Sequence, residues 1–201
     1  MGKKTWPAAA ALCIMLTLTA CGSRTRLTET WKDPNYKSGP VSNILVIGVT
    51  DNERVRRVFE RKFVKALRAA GAKAHSSYAV LHISGELKKE DVLAAVRKTG
   101  ADAVLITSLV NVDQTEVFYR PPPVGYYDAY GLLYGISSRE QAMVGFDVNV
   151  VMNTSLYDAH SEKLIWSTLA ETRKAKSKKE LLEQLIAAVV KKLRRENLLA
   201  S

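Results

Sequence analysis

Cys21 is the residue whose chemistry the sequence defines best. It closes the stretch Leu18-Thr19-Ala20-Cys21 and is followed by Gly22-Ser23. Upstream, Lys3 and Lys4 make a positive start, and Ala8 to Thr19 is nearly all apolar or small. A positive beginning, an apolar run of about a dozen residues and small residues at its end form a secretory signal pattern. The run is too short for a permanent bilayer span, which needs about 20 apolar residues. Residues 1–20 are therefore read as a signal peptide that the mature chain lacks.

Leu18-Thr19-Ala20-Cys21 resembles the bacterial lipoprotein box: an apolar residue, two small residues, then cysteine. The resemblance implies that Cys21 is acylated on sulfur, cut free of Ala20 and acylated again on its new amine. A thioether needs a thiol at that position, so no other residue type would serve. Each buried methylene of such chains contributes about 0.8 kcal/mol, and two or three chains anchor stably where one does not. Gly22 rather than Asp follows the cysteine. By resemblance to the enterobacterial sorting rule, this implies the outer membrane, with the domain facing the periplasm.

Other residue types that carry chemistry do not assemble into a set. Cys13 leaves with the signal and Cys21 is consumed by lipid, so neither thiol catalysis nor a disulfide within one mature chain is open to it. His75, His82 and His160 are the three histidines, and their positions give no convergent metal-ligand set. No Gly-x-Ser-x-Gly elbow surrounds a serine, and Gly48 stands alone rather than in a phosphate-binding loop. Asp51 and Asn52 follow an apolar run, where α/β sheets often bind ligands, but the same pair also suits a helix cap. The expectation is a protein with no catalytic residue, no metal site and no cofactor beyond the covalent lipid on Cys21.

The strongest binding signal is aromatic. Tyr119, Tyr126, Tyr127, Tyr130 and Tyr134, five of the eight tyrosines, fall within sixteen residues that also hold Pro121-Pro122-Pro123. Residues 120–141 read as a Pro/Tyr-rich loop. Long loops in small domains are commonly functional, and tyrosine gives large contact area at low entropic cost. The five tyrosines are candidates for partner contact. The competing reading is a lid whose rings pack on its own domain.

The elements that would carry these residues follow from pattern. Residues 21–40 are polar, with Pro34 and Pro40, and read as a lipid-anchored flexible tether. Residues 41–201 are one domain. Ile44-Leu45-Val46-Ile47-Gly48-Val49 is a strand buried on both faces. A helix follows from Glu53, with Val55, Val58, Phe59, Phe63, Ala66, Leu67 and Ala70 as its apolar stripe and Arg54, Arg56, Arg57 and Arg61 among the residues opposite. Lys73 to His75 is a second strand, Glu90 to Thr99 a second helix, and Ala103 to Val110 a third strand. This spacing implies parallel pairing through right-handed crossovers. Val112 to Tyr119 extends that strand or starts another. Phe146 to Tyr157 and Lys163 to Glu171 form an antiparallel hairpin. Ser177 to Glu180 is a capping-box match before the helix of Leu181 to Leu193. The fold class is α/β to α+β: a mixed β-α-β-α-β sheet, then an antiparallel hairpin and a C-terminal helix.

Three blocks carry a further resemblance: Asn43-Ile44-Leu45-Val46-Ile47-Gly48-Val49-Thr50-Asp51-Asn52, Gly100-Ala101-Asp102-Ala103-Val104-Leu105-Ile106, and Tyr157-Asp158-Ala159 with Lys163-Leu164-Ile165-Trp166-Ser167. They resemble small bacterial lipoproteins of unknown function. The architecture is similar to the α/β domain of the curli-secretion lipoprotein, of lipoprotein activators of penicillin-binding proteins, and of the amino-terminal domain of the Tol-system propeller protein. The resemblance implies binding and assembly roles rather than turnover.

Charge narrows the partners. The chain is formally +10, and loss of Lys3 and Lys4 leaves 28 basic against 20 acidic residues, or +8. A basic surface favours anionic partners, here an envelope protein or an anionic envelope component. Nucleic acid is excluded by export. The leading expectation is a lipid-anchored, non-catalytic binding or assembly module of the cell envelope. A subunit of an oligomeric secretion or pore complex and a carrier of an anionic envelope molecule are the alternatives. The carrier calls for an apolar cavity with convergent Arg and Lys side chains.

Overall fold

The structure, a computed structural model, describes residues 24–83, 85–110, 125–139, 150–173 and 177–200. Cys21, Tyr119, the Pro121-Pro122-Pro123 run and the expected strand of Val112 to Tyr119 lie outside these residues, as do Phe146 and Val148.

Six strands form one mixed sheet: β1 (Arg24–Lys32), β2 (Asn43–Val49), β3 (Lys73–Ser76), β4 (Ala103–Val110), β5 (Val150–Asp158) and β6 (Leu164–Arg173). Their order is β1-β6-β5-β4-β2-β3. β3, β2 and β4 are parallel, and β4-β5, β5-β6 and β6-β1 are antiparallel. Five helices are described: α1 (Glu53–Ala69), α2 (Ser77–Leu81), α3 (Lys89–Thr99), α4 (Tyr126–Arg139) and α5 (Lys178–Arg195). The single α/β domain with its mixed sheet, hairpin and C-terminal helix is the architecture expected from the sequence.

Period-two alternation explains the layers. On β2, Ile44 and Val46 enter a core shared with Phe59, Phe63 and Leu67 of α1 and with Leu185, Ile186 and Val189 of α5. Leu45, Ile47 and Val49 enter the opposite core, with Val92 and Ala95 of α3 and Tyr126 and Tyr130 of α4. Helices therefore cover both faces, which is why β2 reads as an unbroken apolar run. α1 starts where the Asn52 side chain accepts from the Val55 N–H at 3.1 Å. It ends before Gly71, whose φ of 102° favours glycine. Phe59 and Phe63 meet edge-on, with ring centroids 5.5 Å apart. Val55, placed by its spacing in the apolar stripe, is instead 49% exposed. At α5 the Ser177 hydroxyl accepts from the Glu180 N–H at 3.1 Å, as the capping pattern implies.

Two segments differ from expectation. The polar stretch read as a tether over 21–40 contains β1, whose Arg24 to Lys32 run pairs with Arg173 to Trp166. Threonines do this work: Thr25 and Thr30 meet Thr172 and Thr168 hydroxyl to hydroxyl at 2.7 and 3.0 Å. An edge strand paired on one side needs few apolar residues, and Leu27 is the one that packs against the core. A register shift between Thr28 and Trp31 and the positive φ of Glu29 interrupt its outer edge. The second difference is α4. Residues 126–139, read as part of a loop, are helical, because Tyr126, Ala129, Tyr130 and Leu133 fall on one face and are buried.

The registers define two ends of the sheet. Val49, Val110, Val150, Arg173 and Arg24 lie at the carboxyl edge, named for the ends of β2 and β4. Asn43, Ala103, Asp158, Leu164 and Lys32 lie at the amino edge. α5 finishes at the amino edge, where Lys32 Nζ donates to the Glu196 carbonyl at 3.0 Å and Val41 bridges to Leu199.

Candidate functional site at the carboxyl edge

The carboxyl edge rests on a buried polar network that the sequence did not reveal. Arg56, expected on the solvated side of α1, is 2% exposed, and Glu60 is fully buried. Glu60 Oε1 accepts from the Gly48 N–H at 3.0 Å, Arg56 Nε at 3.0 Å and the Ser77 hydroxyl at 2.7 Å. Its Oε2 accepts from the Ser76 hydroxyl at 2.6 Å and the Tyr78 N–H at 2.9 Å. Arg56 spends its remaining donors on the Ser77 hydroxyl and on the Ile83 and Gly85 carbonyls, at 2.8, 3.4 and 3.2 Å. A buried charge is tolerated when it is paired and its other hydrogen-bonding positions are filled, as here. The network ties β2, α1, β3 and α2 to Ile83 and Gly85. Its groups are committed to one another, which makes it a support rather than a reactive centre.

That support carries the aromatic part of the edge. The Leu87 N–H, two residues past Gly85, donates to the Tyr130 hydroxyl at 3.0 Å. Tyr127, Tyr130 and Tyr134 form a row on α4 with ring centroids 6.4 and 5.9 Å apart. Burial pushes the Tyr130 hydroxyl up to about 12, opposed by the Leu87 N–H. Burial also raises Tyr134, and the Glu86 and Asp51 carboxylates raise it further, while Arg56 acts the other way. Asp51, Glu86, Arg56 and Tyr134 are thus within electrostatic reach of one another. The Asp51 position at the end of β2 is where the sheet order turns, with β3 on one side of β2 and β4 on the other.

The contact role proposed for five tyrosines narrows accordingly. Tyr126 and Tyr130 are core residues and cannot present a face to a partner. Tyr127 and Tyr134 are part-exposed. Tyr134 is the one within electrostatic reach of the exposed carboxylates of Asp51 and Glu86, whereas the start of α4 abuts Glu162 of the β5–β6 turn at the amino edge. Tyr119 lies outside the described residues. Ring faces next to carboxylates suit a ligand that brings hydroxyl or amino donors.

The histidines lie apart. His75 is on β3, His82 caps α2 in the left-handed conformation, and His160 sits in the β5–β6 turn. Among the described residues there is no group of three or more side chains able to hold a metal ion, and no helix is long and apolar enough to cross a membrane.

The blocks that carried the family resemblance prove to be joints. Asp102 accepts from the Ser42 N–H and hydroxyl and from the Asn43 N–H, at 2.8, 2.6 and 3.0 Å, tying β4 to the start of β2. Asp158 accepts from the His160 and Ser161 N–H groups and closes the hairpin turn.

No protein-family model matches the chain, and no curated protein matches it. Among solved structures, the fold is similar to PelC dodecamers from Paraburkholderia phytofirmans. One, a variant with a single substitution, is 15% identical with a TM-score of 0.47, over 84% of this chain and 95% of that chain. Another is 14% identical with a TM-score of 0.44, over 89% of this chain and 99% of that one.

Proposed function

We propose that this protein is a lipid-anchored, non-catalytic binding or assembly module of the bacterial cell envelope. It is held at the outer membrane by Cys21 and faces the periplasm. The observation that carries the reading is the start of β1 at Arg24, three residues past Cys21. A chain of three residues spans at most about 10 Å. The lipid and the sheet are then directly coupled, and the carboxyl edge, where Arg24 lies, is held close to the bilayer. A module built this way works by position. Tyr134, Asp51 and Glu86 are its contact residues at that edge.

The test is metabolic labelling with a tritiated fatty acid, compared between the natural chain and Cys21→Ser. Label in the natural chain alone, with the variant released to the soluble periplasmic fraction, supports the anchor. Equal label in both, or no release, refutes it. A photoreactive residue at position 134 then reports the contact, and a single crosslinked species in native envelopes is expected.

A further inference from the structure

Part of the basic charge expected to meet an anionic partner lies at the other end of the molecule. α1 and α5 lie side by side, joined by Lys62 and Glu183 at 2.7 Å. Toward the amino edge they enclose a groove of about 620 Å³. Ala66, Ala70 and Ala187 line its floor, and Lys191, Arg194 and Arg195 stand along it. None of these three cations has an ion-pair partner among the described residues, whereas Lys192 is paired with Glu196 at 2.8 Å. Cations in a last helical turn suit the helix dipole, which accounts for their presence on α5 but not for their gathering around an alanine floor shared with α1.

We infer that this groove docks an acidic amphipathic helix of a protein partner. Three observations select that occupant. Small residues on two adjacent helices allow a third helix to lie between them at ordinary packing distance, about 8–10 Å between axes. The free cations match Glu or Asp side chains recurring at helical spacing on such a partner. The third is position, and it rests on the lipid-anchor reading above. β1 runs nine residues from Arg24 at the carboxyl edge to Lys32 at the amino edge, a span of about 30 Å. The groove therefore faces away from the anchoring bilayer. At physiological ionic strength the field of lipid phosphates fades over about 8 Å. A second copy of the chain is disfavoured by like charge. The groove has the apolar lining and convergent Lys and Arg side chains that a carrier of an anionic molecule also calls for, but it lies open on the surface rather than enclosing a ligand, which suits a helix laid along it.

The experiment uses the full lipidated chain in detergent and a labelled synthetic helix of about five turns, with leucines along one face and glutamates beside them. Fluorescence anisotropy at low salt is expected to show saturable binding. Lys191→Glu with Arg194→Glu should weaken it about tenfold, and Ala187→Phe, which fills the groove without changing charge, should weaken it comparably. Arg54→Glu with Arg61→Glu, in the amino-terminal half of α1, should change it less than twofold. Circular dichroism verifies that each variant is folded. Equal effects of both charge reversals, or none from Ala187→Phe, would overturn the groove as a docking site. Groove variants that lose binding to phosphatidylglycerol vesicles while keeping the peptide would overturn the protein partner in favour of lipid. Fatty-acid label on Cys21 is scored in the same preparations. An unlabelled chain that still binds the peptide refutes the anchor alone, and a labelled chain that does not bind refutes the groove alone.

Discussion

Arg56 and Glu60 stand one turn apart on α1 with Nε and Oε1 3.0 Å from each other, and the carboxylate also holds β2, β3 and α2. Removing one member leaves the other charged and closed off from water. Arg56→Met should destabilise the fold by about 3–5 kcal/mol. Replacing both, as in Arg56→Met with Glu60→Leu, should cost less than the two single changes together, because no lone charge is left. Urea denaturation of the four proteins measures this. Additive losses would mean that the pair is not coupled.

Gly48 explains how the carboxylate reaches the strand. A Cβ there would lie 3.0 Å from Phe59 Cδ1 and 3.5 Å from Glu60 Cγ. Both neighbours are buried and packed, so Gly48→Ala should cost about 1–3 kcal/mol through overpacking. An unchanged urea midpoint would show that α1 can step back from β2 freely.

Alkaline pH should weaken the fold in a defined window. An unfolded tyrosine ionises near about 10. Burial raises Tyr130 and Tyr157 to about 12, against the lowering effect of the Leu87 N–H on the first and the Ser155 hydroxyl on the second. Over that interval the folded chain keeps protons that the unfolded chain releases. The stability is therefore complete below pH about 10 and falls as pH rises toward 12, by up to about 1.4 kcal/mol per pH unit for each residue. Denaturation midpoints across this range test it, and Tyr157→Phe should flatten part of the fall. A midpoint independent of pH up to 11, to within about 0.3 kcal/mol, would contradict the burial of both hydroxyls.

The pairing of β1 makes a prediction that a tether would not. A chain shortened to begin at residue 34 loses Thr25 to Thr172, Thr30 to Thr168 and the packing of Leu27. It should melt about 10 °C below a chain beginning at residue 22, as a loss of a few kcal/mol implies for a domain of this size. Inserting a Gly/Ser linker between Ser23 and Arg24 should leave the melting temperature unchanged. Equal melting of the shortened and full chains would return residues 24–32 to the status of a leash.

The legible parts of the fold were those that a single element states on its own. Ile44 to Val49 has an apolar residue at nearly every position, and Phe59, Phe63 and Leu67 recur at the helical period, so strand and helix needed no partner to be identified. β1 was hidden because an edge strand packs one side chain, Leu27, and uses threonine hydroxyls for the rest. α4 was hidden behind Pro121-Pro122-Pro123, although Tyr126, Ala129, Tyr130 and Leu133 carry the i, i+3, i+4, i+7 signal. Within the site, Asp51 and the tyrosines could be named from the sequence, but not their division into core and surface. Arg56 and Glu60 look like any charged pair on a solvated helix. Their burial depends on the missing side chain of Gly48 and on two serines from another strand and helix, which local pattern does not express.

The partner of β1 is far along the chain: Thr25 meets Thr172 across 147 residues. During synthesis, the amino-terminal strand emerges first and finds its place last, since β6 must exist before that edge of the sheet can close. If Cys21 is acylated first, one end of the polypeptide is held at the membrane while the other five strands assemble beside it. The sheet is then completed by returning to the point of attachment, and the anchored end serves as the last piece of the fold as well as its mooring.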